Sequence, residues 1–301
     1  MAKIVIITGF TGSGKSGLAV EIAKKYNGEI ISCDSVQIYK GLDIGSAKIT
    51  KDEMQGIPHH LIDIINPKDD YSVGQFVKDC ENAINQILSK GKIPILVGGT
   101  GLYIKALLQG YNFNNTDKND EFRQEHIKLA KTYGNQYVWD RLNALAPDKA
   151  KSVHPNNLKR VIRYLEIATF GEDNDTTYSV LSNHHTLCVG IVEERNLIYN
   201  KINKRVDIMI DAGLQQEVKG LLDNGLTLKD NCINTIGYRE MAQYLLGEIE
   251  YDACIELIKQ HTRNYCKRQL TFMKTIPNIL LLNRAKAKEI IEEFLNDKTK
   301  Q

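Results

Sequence analysis

Apolar and polar positions follow two different periods in the first third of the chain. Residues 3–8 form a β-branched apolar run typical of a buried strand, whereas residues 15–26 carry apolar side chains at helical spacing. The alternation continues with a short strand that ends near Asp34, a helix over 72–90, a strand over 93–97 and a further helix from 102. Strands that alternate with helices predict a parallel sheet with helices on both faces.

The pattern changes near residue 112, where "NFNNTDKNDEF" is polar and rich in turn-forming residues. Helical sequence follows, interrupted by "GEDNDTTYSVLSNHH", which has the composition of a mobile loop. We therefore predict a mainly helical insertion domain over 114–185 within a core formed by 1–113 and 186–301. The predicted fold class is α/β: a P-loop parallel-sheet core flanked by helices, with the helical insertion domain and a helical C-terminal region.

The P-loop of this prediction is the glycine-rich turn "GFTGSGKS" at residues 9–16, which matches the phosphate-binding motif in full. Its glycines permit backbone angles that other residues avoid, so successive N–H groups can point at one anion. The helix that begins near Lys15 adds its positive end, Lys15 adds a mobile charge, and the Ser16 hydroxyl is a candidate metal ligand for Mg²⁺. The predicted diphosphate- or nucleotide-binding residues are Gly9, Phe10, Thr11, Gly12, Ser13, Gly14, Lys15 and Ser16.

The loop alone does not distinguish nucleoside phosphates from a bare diphosphate. An ATPase or GTPase is expected to have a strand ending in an acid that holds Mg²⁺, but the strand over 93–97 ends in "GGTG". The strand-terminal acid near the loop is Asp34, at the edge where open α/β sheets bind ligands. Its carboxylate is a candidate Mg²⁺ ligand, general base or turn cap. Thr100, at the same edge, is either a hydrogen-bond partner of the substrate or a helix N-cap.

Composition is that of a globular protein, with 42% hydrophobic and 25% charged residues. No apolar run is long enough to span a membrane and the N-terminus has no signal-peptide pattern, so we predict a cytoplasmic protein. The six cysteines form no CxxC pair or metal-finger spacing, which indicates reduced thiols. Adjacent His59 and His60 point in opposite directions in an extended segment, so we interpret them as structural.

The formal net charge of +2 conceals two basic stretches. Residues 149–165 contain five Lys or Arg and no acid, and residues 257–288 contain eight and no acid. One such stretch is typical of a solvated helix face. Two of them in a chain with a P-loop favour a polyanionic partner.

Motifs in a fixed order extend over nearly the whole chain. They are "GFTGSGKSGLA", "EIISCDSVQIYKGLDIGSAK", "IPHHLIDI", "YSVGQF", "IPILVGGTGLYIKALLQG", "HPNNLKRVIRYLE", "RVDIMIDAGLQQEV", "IGYRE" and "TRNYCKRQLTFMK". The P-loop is weakly specific, whereas "DSVQIY" followed by "DIGSAK" and "GGTGLY" is highly specific. By these motifs the chain resembles the bacterial tRNA dimethylallyltransferases, also called tRNA isopentenyltransferases.

The resemblance implies an enzyme that transfers the dimethylallyl group from dimethylallyl diphosphate to N6 of an adenine in tRNA. That adenine lies next to the anticodon, on its 3′ side, in tRNAs that read codons beginning with U. The P-loop would hold the diphosphate with Mg²⁺, and no nucleotide would be hydrolysed. The insertion domain would clamp the anticodon stem-loop, with one tRNA bound to each monomer.

The resemblance also implies roles for individual residues. Asp34 would hydrogen-bond the adenine amine and take its proton, with Thr100 at the reacting centre, and Arg123 and Arg205 would stabilise charge on the diphosphate. The implied catalytic residues are Asp34, Thr100 and Arg205. The implied tRNA contacts are Asp34, Ser35, Val36, Gln37, Thr100, Arg123, Lys159, Arg160, Val161, Ile162, Arg163, Gly237, Tyr238, Arg239, Lys267, Arg268, Gln269 and Lys274.

Some positions depart from the family pattern. Phe10 and Gly12 replace a usual proline and alanine, and neither change removes a phosphate contact. Tyr164 replaces a usual alanine in the insertion.

The alternative functions are an adenylate prenyltransferase acting on free AMP or ADP, a small-molecule kinase that uses ATP, and a non-catalytic RNA-binding protein. The helical insertion argues against the first of these, and intact Lys15 and Asp34 argue against the last.

Overall fold

The computed structural model describes residues 1–110, 119–171 and 179–297. The chain divides into two compact units: a core unit of Met1–Gly110 and Ser179–Gln301, and an insertion unit of Tyr111–Tyr178. The boundary predicted at 113/114 lies outside the described residues, and so do residues 172–178 of the predicted mobile loop.

The second boundary follows Tyr178 rather than residue 185. The Ser179 hydroxyl lies 2.9 Å from the carbonyl oxygen of Leu107 and 3.1 Å from that of Leu108. These contacts attach the segment after Tyr178 to a helix end of the core unit. The segment therefore belongs to the core and not to the insertion.

The structure contains the following elements. The strands are β1 Lys3–Gly9, β2 Gly28–Ser32, β3 His59–His60, β4 Ile93–Gly98, β5 His185–Ile191 and β6 Leu280–Leu282. The helices are α1 Lys15–Lys25, α2 Lys51–Met54, α3 Val73–Ser89, α4 Gly101–Gln109, α5 Asp120–Tyr133, α6 Asn135–Leu145, α7 Pro147–Lys151, α8 Leu158–Phe170, α9 Arg195–Asp211, α10 Leu214–Asp223, α11 Tyr238–Leu245, α12 Tyr251–Met273 and α13 Arg284–Asn296. Within the described ranges, no helix is long and apolar enough to cross a membrane.

The six strands form one parallel sheet in the order β3-β2-β4-β1-β5-β6, which confirms the predicted fold class. Val5 of the inner strand β1 pairs with Ile95 of β4 on one side and Leu187 of β5 on the other. The inner strands are buried on both faces, which explains their unbroken apolar sequence. Since all strands run the same way, the segments that follow β1, β2 and β4 meet at one sheet edge.

The sequence pattern missed the two edge strands and the last helix. β3 has two residues and β6 has three, so neither is long enough to display a strand period. In α13, Ala287 and Ile291 pack into the apolar cluster between α1 and the sheet. The C-terminal segment therefore completes the covering of one sheet face.

The described part of the insertion unit consists of helices α5–α8. They pack around Val138, Leu142 and Leu165, which are buried in one apolar cluster. The Trp139 indole N–H donates to the carbonyl oxygen of Val153 at 2.8 Å, which fixes the chain after α7 against α6. The unit thus has its own small core.

His59 and His60 have separate partners, as expected of structural residues. Nδ1 of His59 lies 2.8 Å from a backbone carbonyl, and Nε2 of His60 lies 2.8 Å from Oε2 of Glu29. The buried Glu29 carboxylate also binds Lys90 and Lys92. Burial alone raises the pKa of Glu29, but the bonds from Lys92, His60 and Lys90 outweigh burial and lower the pKa to about 2.

We predict that Glu29→Gln destabilises the protein at neutral pH and removes part of its acid sensitivity. The depressed pKa means that ionised Glu29 stabilises the fold above pH 4.5, its ordinary pKa, and that this contribution is lost as the pH falls toward 2. The variant should lose about 1–3 kcal/mol of unfolding free energy at pH 7. Urea unfolding over a pH series measures this, and a loss that stays constant down to the acid limit contradicts the assignment.

Candidate active site

The P-loop joins the carboxyl end of β1 to α1 in a tight turn. Gly12 and Gly14 have φ of +85° and +76°, left-handed values that other residues rarely adopt. α1 begins at Lys15 with neither a side-chain cap nor an acid in its first turn. Among the described residues, nothing accepts from the backbone N–H groups of Gly12, Gly14, Lys15 and Ser16. These donors are available for an anion.

Two other N–H groups of the loop are already engaged. The Ser13 N–H donates to the carbonyl oxygen of Phe10, and the Thr11 N–H donates to Oε1 of Gln269, each at 3.2 Å. Nε2 of the same Gln269 donates to the carbonyl oxygen of Gly99 at 3.0 Å. This buried side chain of α12 therefore joins the P-loop to the turn after β4. The backbone N–H groups left for a phosphate are therefore those of Gly12, Gly14, Lys15 and Ser16.

The Phe10 side chain anchors the P-loop in the core. It is buried against Ile198 and Ile202 of α9 and Cys266 of α12. Only the backbone of Phe10 can therefore face a phosphate, and its ring replaces proline as a packing element.

Two glycines at the carboxyl end of β4, Gly98 and Gly99, allow other elements to approach closely. A Cβ on Gly98 would collide with the carbonyl oxygen of Cys33, which follows β2. A Cβ on Gly99 would collide with the amide of Gln269. The "GGTG" sequence is therefore required by packing at the sheet edge, where β2, β4 and α12 converge.

Asp34 follows β2 and closes a turn. Its Oδ1 accepts from the N–H groups of Val36 and Gln37, at 2.9 and 3.3 Å. In the described part of the chain its Oδ2 has no partner. Oγ1 of Thr100 accepts from the Ser35 N–H at 3.1 Å and does not cap α4. The turn-cap role of Asp34 is thus present and leaves one oxygen available. Thr100 does occupy the N-cap position of α4, but its hydroxyl makes no capping hydrogen bond to the helix.

Two cations share this sheet edge with Asp34. Burial and the charge of Arg205 lower the pKa of the Lys15 ammonium to about 8, while Asp34 opposes the shift. Burial also lowers the pKa of Arg205, and Asp34 again opposes it. Nε of Arg205 is buried without a partner among the described residues. Two partly buried cations share the Asp34 carboxylate, and the exposed Glu53 acts only on Arg205, so positive charge remains that an anion would compensate.

One cavity of about 640 Å³ brings these groups together. Residues predicted from the sequence that line it are Thr11, Lys15, Ser16, Asp34, Ser35, Val36, Gln37, Arg205, Gly237, Arg239 and Arg268. The sequence did not predict other polar residues of the lining: Ser46, Asn234, Thr235, His261, Thr262, Asn264 and Tyr265. A concave site with convergent polar groups is typical of a small-molecule pocket.

Known proteins with the same sequence pattern are tRNA-modifying enzymes. The family model described as IPP transferase matches residues 37–276. The tRNA dimethylallyltransferase of Thermoanaerobacter sp. (strain X514) is 44% identical over 279 residues, which cover 90% of this chain and 89% of that protein. That of Oceanobacillus iheyensis is 41% identical over 302 residues, covering 98% and 96%. The chain belongs to the tRNA dimethylallyltransferase family.

Solved structures of this family have the same fold. The tRNA isopentenylpyrophosphate transferase of Bacillus halodurans is 38% identical and covers 98% of this chain and 96% of its own, with a TM-score of 0.73. A eukaryotic dimethylallyltransferase acting on tRNA is 29% identical and covers 98% and 80%, with a TM-score of 0.79. The resemblance inferred from the motifs is therefore confirmed.

Four side chains that the family resemblance assigned to tRNA contact are buried instead. Tyr238 is 0% exposed and donates its hydroxyl to Oε1 of Glu217 at 2.6 Å. Gln269 is the buried link between the P-loop and β4. Val161 and Ile162 lie in the apolar core of the insertion unit. Direct RNA contact by these side chains was a wrong prediction, because each is enclosed by its own structural partners.

The predicted arginines of the insertion unit have partners within that unit. Arg123 donates to both carboxylate oxygens of the fully buried Glu166, at 2.9 and 2.6 Å, and Arg163 donates to one of them at 2.5 Å. Arg160 donates to the Tyr164 hydroxyl at 2.7 Å and lies over its ring. The exposed members of the predicted tRNA-contact set are Lys159, Arg160, Lys267, Arg268 and Lys274.

Sequence reasoning missed Glu217 of α10, which organises the loop "DIGSAK". Its carboxylate accepts from the N–H groups of Asp43, Ile44 and Gly45 at 3.1, 2.7 and 3.1 Å, and from the Tyr238 hydroxyl. The loop forms part of the cavity wall. No local signal marks this role, because a single acid on an amphipathic helix is usually solvated.

We predict opposite effects for two glycine-to-alanine substitutions. Gly98→Ala should lower the unfolding free energy by about 1–3 kcal/mol or more, because its methyl group must displace the backbone at Cys33. The matched variant Gly220→Ala, in α10 where nothing lies within 4 Å of the new Cβ, should raise it by about 0.5–1 kcal/mol. Urea unfolding measures both. A Gly98→Ala protein as stable as the wild type would contradict the close approach of β2 and β4.

Proposed function

We propose that this protein transfers the dimethylallyl group from dimethylallyl diphosphate to N6 of the adenine on the 3′ side of the anticodon. The tRNAs concerned are those that read codons beginning with U, and diphosphate is released. The observation that carries the proposal is the single cavity that joins a P-loop and two desolvated cations to the carboxylate of Asp34. Membership of the tRNA dimethylallyltransferase family supports it independently.

The diphosphate of the donor is expected at the P-loop. The unpaired N–H groups of Gly12, Gly14, Lys15 and Ser16 supply donors there, and the side chains of Lys15 and Arg205 supply positive charge. When the bond between the allylic carbon and the bridging oxygen breaks, its electron pair leaves with the diphosphate. Preorganised donors stabilise this developing charge, and such electrostatic stabilisation is commonly the largest contribution to catalysis. The P-loop thus serves a leaving group and transfers no phosphoryl group.

The residues present fit a Mg²⁺ ion whose ligands come mainly from the phosphate oxygens of the enzyme's substrate. The Ser16 hydroxyl lines the cavity. No cluster of three or more His, Cys, Asp or Glu suited to a metal occurs in the described ranges. Mg²⁺ commonly uses few protein ligands together with phosphate oxygens and water. Ser16 would hold the ion beside the diphosphate. The positive charge of Mg²⁺ there would favour departure of the diphosphate as leaving group.

Asp34 is the proposed general base. The turn fixes its carboxylate through Oδ1 and leaves Oδ2 for the substrate. The adenine amine is a weak nucleophile, so its nitrogen attacks the allylic carbon while a positioned carboxylate takes the proton that is released. Thr100 supports this geometry through its hydrogen bond to Ser35, the neighbour of the base.

The acceptor adenine must leave its stack in the anticodon loop to reach Asp34, at a cost of a few kcal/mol. Basic residues on exposed surfaces are the proposed phosphate contacts that offset this cost. On α12, Lys267 and Arg268 are exposed beside the buried Cys266 and Gln269. The insertion unit adds exposed basic residues, and one tRNA would bind each monomer.

A transfer assay tests the proposed function. The protein is incubated with Mg²⁺, labelled dimethylallyl diphosphate and an unmodified anticodon stem-loop. The matched control carries inosine in place of the target adenine, because inosine lacks the N6 amine. Label should move to the first RNA and not to the second. Parallel reactions offer AMP as the acceptor or add ATP. Label on AMP alone would instead identify an adenylate prenyltransferase, and ATP consumption without transfer would identify a kinase.

Two substitutions of Asp34 in the same assay test its role as base. Asp34→Asn keeps an acceptor oxygen for the turn but cannot take a proton, whereas Asp34→Ala removes both functions. We expect Asp34→Asn to slow transfer by about 10²- to 10⁴-fold with stem-loop affinity nearly unchanged. Asp34→Ala should also weaken RNA binding, since the turn at Val36 loses its cap. Transfer by Asp34→Asn within about tenfold of wild type would remove Asp34 as the base.

A further inference from the structure

Two backbone carbonyls hold the side-chain amide of Gln37 in one orientation. Its Nε2 lies 3.4 Å from the carbonyl oxygen of Ser46 and 3.3 Å from that of Ala47, both in the loop "DIGSAK". A carbonyl oxygen can only accept a hydrogen bond, so the NH₂ side of the amide faces the loop. A flipped amide would place oxygen against oxygen. The Oε1 atom of Gln37 therefore points away from these two carbonyls.

The Oε1 atom of Gln37 keeps one lone pair for a ligand. The Ser32 hydroxyl, at the end of β2, donates to it at 3.5 Å, and an amide oxygen has two lone pairs. The Gln37 side chain lines the same cavity as Asp34. The backbone N–H of Gln37 also donates to Oδ1 of Asp34 at 3.3 Å. Two acceptors, Oε1 of Gln37 and Oδ2 of Asp34, therefore belong to one turn.

The loop that orients Gln37 is itself held by Glu217 of α10. The Glu217 carboxylate accepts from the three consecutive N–H groups of residues 43–45 and from the Tyr238 hydroxyl. The last of these N–H groups belongs to the residue before Ser46, whose carbonyl oxygen accepts from Gln37. The position of that carbonyl, and with it the orientation of the amide, therefore depends on Glu217.

We propose that Glu217 is a positioning residue for recognition of the acceptor base. Acting through the loop, it fixes Gln37 so that Oε1 accepts from the exocyclic amine of the target adenine. The inference rests on the proposed function, which brings an adenine to Asp34. The amine has two N–H groups, and Gln37 and Asp34 offer one acceptor each. A base with a carbonyl oxygen at this position, such as guanine, would place a third acceptor against these two.

Glu217 acts on the acceptor side of the cavity and not on the donor side. In the described ranges, the hydrogen bonds of its carboxylate go to residues 43–45 and to Tyr238, and none goes to the P-loop. The P-loop is held instead by Gln269 and by the packing of Phe10. Loss of the carboxylate should therefore change recognition of the base and leave binding of the diphosphate intact. A residue that only stabilised the fold would affect both.

Two substitutions test the two ends of this chain of contacts. Glu217→Gln keeps the volume and one acceptor oxygen, but its NH₂ group then faces an N–H donor on one side, which loosens the loop. Gln37→Met removes the amide and keeps the length of the side chain. The matched control is Glu256→Gln, because Glu256 is exposed on α12 and its carboxylate pairs with Lys259 at 3.6 Å.

Binding is measured with two anticodon stem-loops that differ only at the target position. One carries adenine and the other carries purine, which lacks the exocyclic amine. Dissociation constants are measured without dimethylallyl diphosphate, so that no transfer occurs, and the preference for adenine over purine measures recognition of the amine.

We expect Glu217→Gln to lower the preference for adenine about threefold to tenfold, the effect of one hydrogen bond. Gln37→Met should lower it by a similar factor, and the double variant should lower it no further, because both changes remove the same contact. Glu256→Gln should leave it at the wild-type value. The affinity for dimethylallyl diphosphate should equal that of wild type in every variant.

An unchanged preference in Glu217→Gln would overturn the proposal, and so would a further loss in the double variant. Weaker binding of dimethylallyl diphosphate by Glu217→Gln would also overturn it, since a purely structural residue gives that result. Wild-type transfer to the adenine stem-loop is measured in parallel. If transfer occurs while Glu217→Gln leaves the preference unchanged, the positioning role alone is wrong. If wild type transfers nothing to RNA, the proposed function fails, and the positioning role fails with it.

Discussion

Positive charge without a matching anion at one edge of the parallel sheet is the constraint on which the rest of the site depends. Burial lowers the pKa of both Lys15 and Arg205. The Asp34 carboxylate opposes both shifts, and Glu53 also opposes that of Arg205. Desolvated charge is costly unless a counter-charge is present, so this edge is organised for an anionic ligand. In the proposed reaction a diphosphate would satisfy this requirement, and the groups that bind it would also stabilise it as it leaves.

Polar side chains of the C-terminal helices keep this edge in place. Gln269 hydrogen-bonds both the P-loop and the turn after β4. Glu217 accepts from the backbone of the loop at Gly45. Glu240 binds Arg239 and His261. In the first two cases a helix from the second half of the chain holds a loop from the first half. The cavity therefore depends on the whole core unit and not on the P-loop segment alone, and the motifs accordingly extend along the chain.

Local signals predicted most of the fold, because β1, α1, α3 and β4 each have a clear apolar period and recognisable ends. The P-loop was recognised from its glycine-rich motif. Its closeness to Asp34 followed from the parallel sheet, because the segments after β1 and β2 meet at one edge. The burial of Tyr238 and Gln269 was not predictable from the sequence, since a polar side chain in a functional motif equally suits contact with a ligand and a hydrogen bond to distant backbone. Glu217 was missed because its partners lie on other elements, and Glu240 because its partner His261 comes from a different helix.

The central claim is that the P-loop holds the diphosphate of an isoprenoid as a leaving group. Calorimetric titration of the protein with dimethylallyl diphosphate and with ATP, each with Mg²⁺, tests it most directly. We expect dimethylallyl diphosphate to bind at least about tenfold more tightly than ATP, a difference of about 1.4 kcal/mol. We also expect this binding to be lost in Lys15→Ala. ATP bound as tightly as the isoprenoid diphosphate, or more tightly, would contradict the account.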